Sequence, residues 1–219
     1  MQRFGWYSFD ISSILPSGWS KKLISIGLGN SDVVLVEPTS VTSREAGDIG
    51  TLETVTVPGD RLYELAPWLV ELYRGLFRDL GQQLVKEPLA CAESDLYAVV
   101  LNVQYGEVMR YECHVDSNPL QGLLYVTTHT PGDGGELVVG NVANAKSVEE
   151  VDADCSIIYP VAGHLLFFDG REHPHYVRSL KASDAVRVVV AMNFYTPSSP
   201  ESRRPRDLNS HLFGRSLGS

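Results

Sequence analysis

Basic charge is scarce in this chain: 18 Lys and Arg stand against 27 Asp and Glu, a formal net charge of −9. A nucleic-acid backbone needs a dense basic face, so no nucleic acid is expected as a partner, and a small-molecule ligand fits better. Cysteine is scarce too. Cys91, Cys113 and Cys155 are odd in number and irregular in spacing, which argues against a disulfide framework and a zinc cluster. They read as reduced thiols, mostly packing residues. No run approaches the ~20 apolar residues of a membrane span, so no membrane partner is expected. The opening MQRFGWYSFD has no basic segment leading into a long apolar one, and the chain is expected to be soluble, unexported and cytoplasmic. Internal repeats and low-complexity segments are lacking, and no oligomeric state is implied.

What is there is 219 residues with 43% hydrophobic content, enough for one domain with a sizeable core. The first 57 residues read as short strands and loops. KKLISIGLG and DVVLVE are β-rich runs around the turn-forming NSD, TLETVTV alternates apolar with polar, and Gly47 and Gly50 punctuate the interval. From about residue 60 the period changes. With Asp60 as a cap, Pro67 in a first turn and Leu69, Leu72, Tyr73, Leu76, Phe77 and Leu80 at three- and four-residue steps, the pattern predicts one amphipathic helix ending near Gly81. Between Tyr97 and Pro197 eight strand-like runs follow, from YAVVLNVQY to VRVVVAMNFYT, rich in Val, Ile, Tyr and Phe. Eight closely spaced strands preceded by a helix predict a mainly β fold, two facing sheets forming a jelly roll or barrel with a supporting N-terminal helix outside. The expected organisation is a single domain, 1–219: strands and supporting helix over 1–96, core over 97–197 and an irregular, polar tail over 198–219 that folds over the site.

The stretch RYECHVDSNP places His114 and Asp116 two positions apart. Side chains on a strand alternate faces, so both point one way and Val115 the other. A two-histidine, one-carboxylate face on Fe(II) leaves positions open for cosubstrate and dioxygen, and needs one more histidine. The others are His129, His164, His173, His175 and His211, any of which alone reads as a surface or hydrogen-bonded residue.

The order HVD at 114–116, GGEL at 134–137, LLFF at 165–168, HYV at 175–177 and Arg187 resembles the Fe(II)- and 2-oxoglutarate-dependent oxygenases, in pattern the prolyl-hydroxylase-like branch. That resemblance implies a double-stranded β-helix (jelly roll). It implies that His114, Asp116 and His175 bind iron and serve as the catalytic centre, with 2-oxoglutarate as cosubstrate and O2 as oxidant. It implies that Arg187 pairs with the distal carboxylate of 2-oxoglutarate, a task for which a planar, permanently charged guanidinium is suited. Tyr125 matches the position of an added hydroxyl donor, and Tyr105 is its rival. His173 lies two residues before His175, but Val177 and Leu180 match the pattern that follows the distal histidine. The KASD turn lengthens the step to Arg187. If Arg187 faces inward, alternation sends Asn193 inward as well, toward substrate; Thr127 and His129 share the face of Tyr125 and either line the pocket or stand on a solvated strand end. A carboxylate at Asp116, where related halogenases have a small residue, implies hydroxylation.

Three functions are compatible with these residues. The first is a dioxygenase that hydroxylates an unactivated C–H bond of a small molecule, an amino acid or natural-product intermediate, releasing succinate and CO2. The second is a prolyl hydroxylase acting on a protein or peptide, which needs an open groove. The third is a non-catalytic jelly-roll binding module. Loops at 37–57, 129–135 and 141–154 are where substrate contacts and lids are expected.

Overall fold

A computed structural model describes residues 4–38, 40–45, 50–106 and 110–214; Gly47 lies outside them. The strands are β1 (Trp6–Asp10), β2 (Asp32–Val36), β3 (Leu52–Val57), β4 (Ala90–Cys91), β5 (Val99–Tyr105), β6 (Tyr111–His114), β7 (Leu120–Tyr125), β8 (Leu137–Gly140), β9 (Cys155–Ile158), β10 (His164–Phe168), β11 (His175–Val177) and β12 (Val186–Tyr195). They form two antiparallel sheets. The larger runs β1-β10-β7-β12-β5-β3-β2, with β4 on β12, and the smaller runs β6-β11-β8-β9. The eight runs expected after Tyr97 are β5 to β12, and the two sheets make a jelly roll.

Strand β12 shows how sequence becomes layers. Its alternate residues Val188, Val190, Met192 and Phe194 are fully buried against the helices outside the larger sheet. Arg187, Val189, Ala191 and Asn193 face the gap between the sheets, as period-two alternation requires. Two cores result. One joins Leu23, Leu62, Tyr73 and Phe77 to Leu101 and Val190; the other, between the sheets, holds Leu123, Leu166, Phe168 and Val189.

The N-terminal third departs from expectation. KKLISIGLG is not a strand: it lies in helix α1 (Trp19–Asn30). Leu23, Ile26 and Gly27 are its buried face, and a Cβ on Gly27 would come within 2.7 Å of Val103 Cγ2, so a bare glycine seats the helix against β5. Packing overrides the strand-like composition. The single helix expected over 60–81 is divided into α2 (Gly59–Leu65), α3 (Pro67–Leu72), a π-helical turn Tyr73–Phe77 and α4 (Arg78–Gln82). Ala66 leaves helical geometry (φ −142°, ψ 59°) because a following proline disfavours it there.

Three short helices complete the chain: α5 (Asp95–Ala98), α6 (Val148–Ala153) and α7 (Leu208–Phe213). The segment 141–154, expected as a lid, instead carries α6, whose Val151 packs with Val138 and Tyr176 in a separate apolar cluster. The tail is not wholly irregular: it carries α7, which is capped by Gly214.

Phe77 is fully buried between the helices and the larger sheet. Phe77→Ala should cost about 3–5 kcal/mol in urea unfolding; a loss below about 1 kcal/mol would contradict the packing described.

Candidate metal centre

Strands β6 and β11 pair so that His114 and His175 stand directly opposite, with ring centroids 4.5 Å apart. Asp116 follows two residues beyond His114, its amide bonded to the Gly170 carbonyl at 3.1 Å. One ligand atom from each of these three residues can be chosen such that all lie within 4.8 Å of one another, the one His, Cys, Asp or Glu group of this kind among the described residues.

Hydrogen bonding settles the tautomers. His114 Nδ1 is 2.8 Å from the Glu112 carbonyl and His175 Nδ1 is 3.0 Å from the His173 carbonyl. A carbonyl only accepts, so each Nδ1 donates its proton and each neutral ring leaves an unprotonated Nε2. Those nitrogens face the Asp116 carboxylate, 3.8 Å from Oδ1 and 3.6 Å from Oδ2, and Asp116 Oδ2 is buried without a hydrogen-bond partner. Burial pushes the His175 imidazole down to about 4, with the nearby Asp116 carboxylate opposing that shift, so it is a neutral donor near pH 7. Three electron-pair donors thus converge with no proton between them. This donor set fits a divalent cation such as Fe(II), and anchoring Nδ1 to the main chain is the usual way of aiming a ligating histidine. His173 is directed elsewhere, its Nδ1 2.8 Å from the Gly140 carbonyl and its ring beside Phe4.

Arg187 is 1% exposed, and its Nε has no partner. Burial depresses the guanidinium; Tyr125, Tyr111 and Glu136 act against that. An arginine stays charged even so, and a buried cation without a bound counter-ion is costly. Gly135, at φ +76°, leaves room for it: a Cβ there would come within 3.0 Å of Arg187 Cδ. The ring of Tyr125 lies 5.8 Å from the guanidinium carbon, and the Tyr125 hydroxyl, pushed up to about 12 by burial, is also unpartnered.

Sequence reasoning missed Tyr111. Its hydroxyl is buried without a partner, burial pushes its pKa up while Arg187 acts to lower it, and it lines the same cavity. Strict alternation would place Tyr111 opposite His114. The ladder is irregular between them, since two steps on β11 (His175 to Val177) match three on β6 (His114 to Tyr111), and such a bulge changes which side chains share a face.

Other expected residues divide. Asn193 lines the cavity and its Nδ2 donates to the Tyr97 carbonyl at 2.6 Å. Tyr105 is 38% exposed at the end of β5 and shares the parity of Leu101 and Val103, which pack on the helices, so the site does not include it. Thr127 is not a lining residue; its hydroxyl accepts from the Val188 amide at 3.0 Å. Neither is His129, whose Nε2 donates to the Val186 carbonyl at 3.2 Å and whose ionisation is depressed by burial and by Arg187.

The cavity has a volume of about 170 Å³ and lies between the sheets. Helix α7 contributes Leu208, His211, Leu212 and Phe213 to its wall. His211 Nε2 lies 2.7 Å from Glu112 Oε2, both side chains less than a tenth exposed, and ties the tail to the strand that carries His114. Burial pushes the Glu112 carboxyl up, but the His211 bond, followed by His114 and Ser43, holds it below its ordinary value.

Residues 101–195 match the family described as the 2OG-Fe(II) oxygenase superfamily. That segment is thus similar to the superfamily, whose members use Fe(II), 2-oxoglutarate and O2. No curated protein matches the chain in sequence. Solved structures share the fold. AviO1 from Streptomyces viridochromogenes Tue57 is 16% identical, with TM-score 0.62, covering 91% of this chain and 93% of its own. The non-heme alpha ketoglutarate dependent epimerase SnoN from nogalamycin biosynthesis is 14% identical, with TM-score 0.60 over 98% and 88%. A prolyl hydroxylase from Trichoplax adhaerens, in complex with a hypoxia inducible factor peptide fragment, is 16% identical, with TM-score 0.61 over 92% and 88%.

A Cβ on Gly170 would overlap Asp116 Oδ2 and come within 2.8 Å of His175 Cε1. Gly170→Ala should therefore weaken Mn(II) binding by about tenfold or more, some 1.4 kcal/mol, in calorimetric titration; unaltered affinity would show that Gly170 does not wall the site.

Proposed function

We propose that the chain is a single-domain (1–219) Fe(II)- and 2-oxoglutarate-dependent dioxygenase that hydroxylates a C–H bond of a small molecule. The observation that carries this reading is the convergence of two unprotonated imidazole nitrogens and an unpartnered carboxylate oxygen, in the same cavity as a buried arginine. His114, Asp116 and His175 would hold the iron. Arg187 would pair with the distal carboxylate of 2-oxoglutarate, with the Tyr125 and Tyr111 hydroxyls as further donors. Bound iron, 2-oxoglutarate and O2 together supply the oxidation: one oxygen atom enters the substrate C–H bond, the other enters succinate, and CO2 leaves.

The protein's own work is positioning and exclusion of water. Main-chain carbonyls hold both histidines in the ligating tautomer, and Leu208, Leu212 and Phe213 roof the cavity with apolar surface. That roof favours a small molecule over an extended peptide, which would need an open trough. An active prolyl hydroxylase is the second reading, because the fold is shared with one. A non-catalytic jelly roll is disfavoured by the cost of an unneutralised Arg187. Asp116 favours hydroxylation over halogenation, since its carboxylate takes a ligand place. Cys91, Cys113 and Cys155 are free thiols, which supports a reducing compartment such as the cytoplasm. Among the described residues no helix is long and apolar enough to cross a membrane.

His175→Ala should abolish tight Fe(II) binding while His173→Ala retains most of it; the reverse order would reassign the ligand. Arg187→Ala should raise the 2-oxoglutarate concentration needed for turnover at least tenfold with a smaller effect on iron affinity, and Tyr125→Phe should do so more weakly. An unchanged 2-oxoglutarate requirement in the arginine variant would move the anchor elsewhere. A screen for substrate-stimulated succinate release should find a small molecule that gains about 16 mass units, one oxygen atom; turnover of prolyl peptides alone would favour the second reading.

A further inference from the structure

Five cavity-lining residues each have a buried polar atom without a partner: Thr56 Oγ1, Tyr111 OH, Glu112 Oε1, Asp116 Oδ2 and Arg187 Nε. Buried polar atoms without partners are rare and call for an explanation. In the proposed oxygenase, on which the substrate assignment made here rests, iron and 2-oxoglutarate account for Tyr111, Asp116 and Arg187. Thr56 and Glu112 remain, and neither cofactor gives them anything to do.

Their chemistry is of one kind. Glu112 is 5% exposed; His211 on the roof helix occupies its Oε2, and Oε1 has no hydrogen-bond partner of good geometry, although the Ser43 hydroxyl is near enough to help hold the carboxyl below its ordinary value. A carboxylate oxygen can only accept. Thr56 is likewise 5% exposed, and its hydroxyl can accept or donate. Set against these is the supply of cations. Of the Lys and Arg side chains among the described residues, Arg187 alone lines the cavity, and it is committed to 2-oxoglutarate. A substrate carboxylate or phosphate placed against Glu112 would meet that carboxylate and no free guanidinium or ammonium, which is a desolvated like-charge arrangement.

We infer that Glu112, held by His211, is a substrate-binding residue, with Thr56 as a second polar residue of the cavity wall, and that the substrate is a neutral or amine-bearing small molecule with a hydroxyl or amine hydrogen to donate and no anionic group. The oxygen left free on Glu112 recognises the donor. Because Glu112 Oε2 is bonded to α7, the recognising group and the roof are one unit. Sites that present a buried acceptor to a substrate donor discriminate strongly against analogues lacking it, since the acceptor is then left unpaired.

The test uses the Fe(II)-loaded protein with 2-oxoglutarate and a panel of cavity-sized neutral polyols, amino alcohols and their matched carboxylic and phosphoric acids. Binding is read anaerobically from the visible absorption of the iron complex, and turnover from succinate release. The expected result is response to neutral or amine-bearing members, with matched acids at least tenfold weaker. Glu112→Gln should then raise the KM of a responding member at least tenfold with a smaller change in kcat. His211→Gln, which keeps an N–H for Glu112, should move KM less than His211→Ala. Acids that bind as tightly as their neutral partners, a panel without any responder, or an unchanged KM in Glu112→Gln would each overturn the inference. Failure to bind iron and 2-oxoglutarate at all would instead overturn the oxygenase reading beneath it.

Discussion

Two imidazole nitrogens and a carboxylate oxygen are held face to face in the gap between two sheets. The Asp116 oxygen left buried without a partner costs about 1–3 kcal/mol. The buried guanidinium of Arg187 adds a cost of the same sign. A fold tolerates that arrangement only if the surrounding structure leaves the groups no alternative. Here the constraint is the β6–β11 ladder, which sets His114 opposite His175, together with the two carbonyls that fix their tautomers.

The rest of the molecule can be read as support for this strained centre. The large sheet buries one face of β12 against the helices, and this packing turns Arg187 inward with no freedom to leave. Gly170 and Gly135 are bare because side chains there would collide with Asp116 and Arg187. The tail returns as α7 to place apolar side chains over the cavity, and the buried Glu112–His211 bond fastens it. Stability given up at the site is supplied by two separate cores on either side of the same sheet.

Much of this is legible in the residues. Runs of Val, Ile, Tyr and Phe between turn residues locate eight strands, and alternation along β12 correctly places Arg187 with Asn193. The helix α1 is not legible, because KKLISIGLG has strand composition and only the fit of Gly27 against Val103 reveals why it coils. Tyr111 is hidden by a bulge, which breaks the period-two rule that finds its neighbours. Residue type cannot separate it from Tyr105, although the parity of Tyr105 with Leu101 and Val103 already directs the Tyr105 side chain to the helix face. The roles of Glu112 and His211 depend on a contact across 99 residues, and nothing local in either segment announces it.

A ligand that binds only the folded protein raises its stability by about 2.7 kcal/mol at one hundred times its dissociation constant, which for a chain of this size moves the melting temperature by roughly 5–10 °C. The most direct measurement is therefore thermal unfolding of the metal-stripped protein with Mn(II) and 2-oxoglutarate added separately and together, alongside Asp116→Asn. Three converging donors and a buried arginine predict a rise of that order with both ligands, a smaller one with the metal alone, and little in the variant. Equal melting temperatures with and without both ligands in the unaltered protein would contradict the account at its centre.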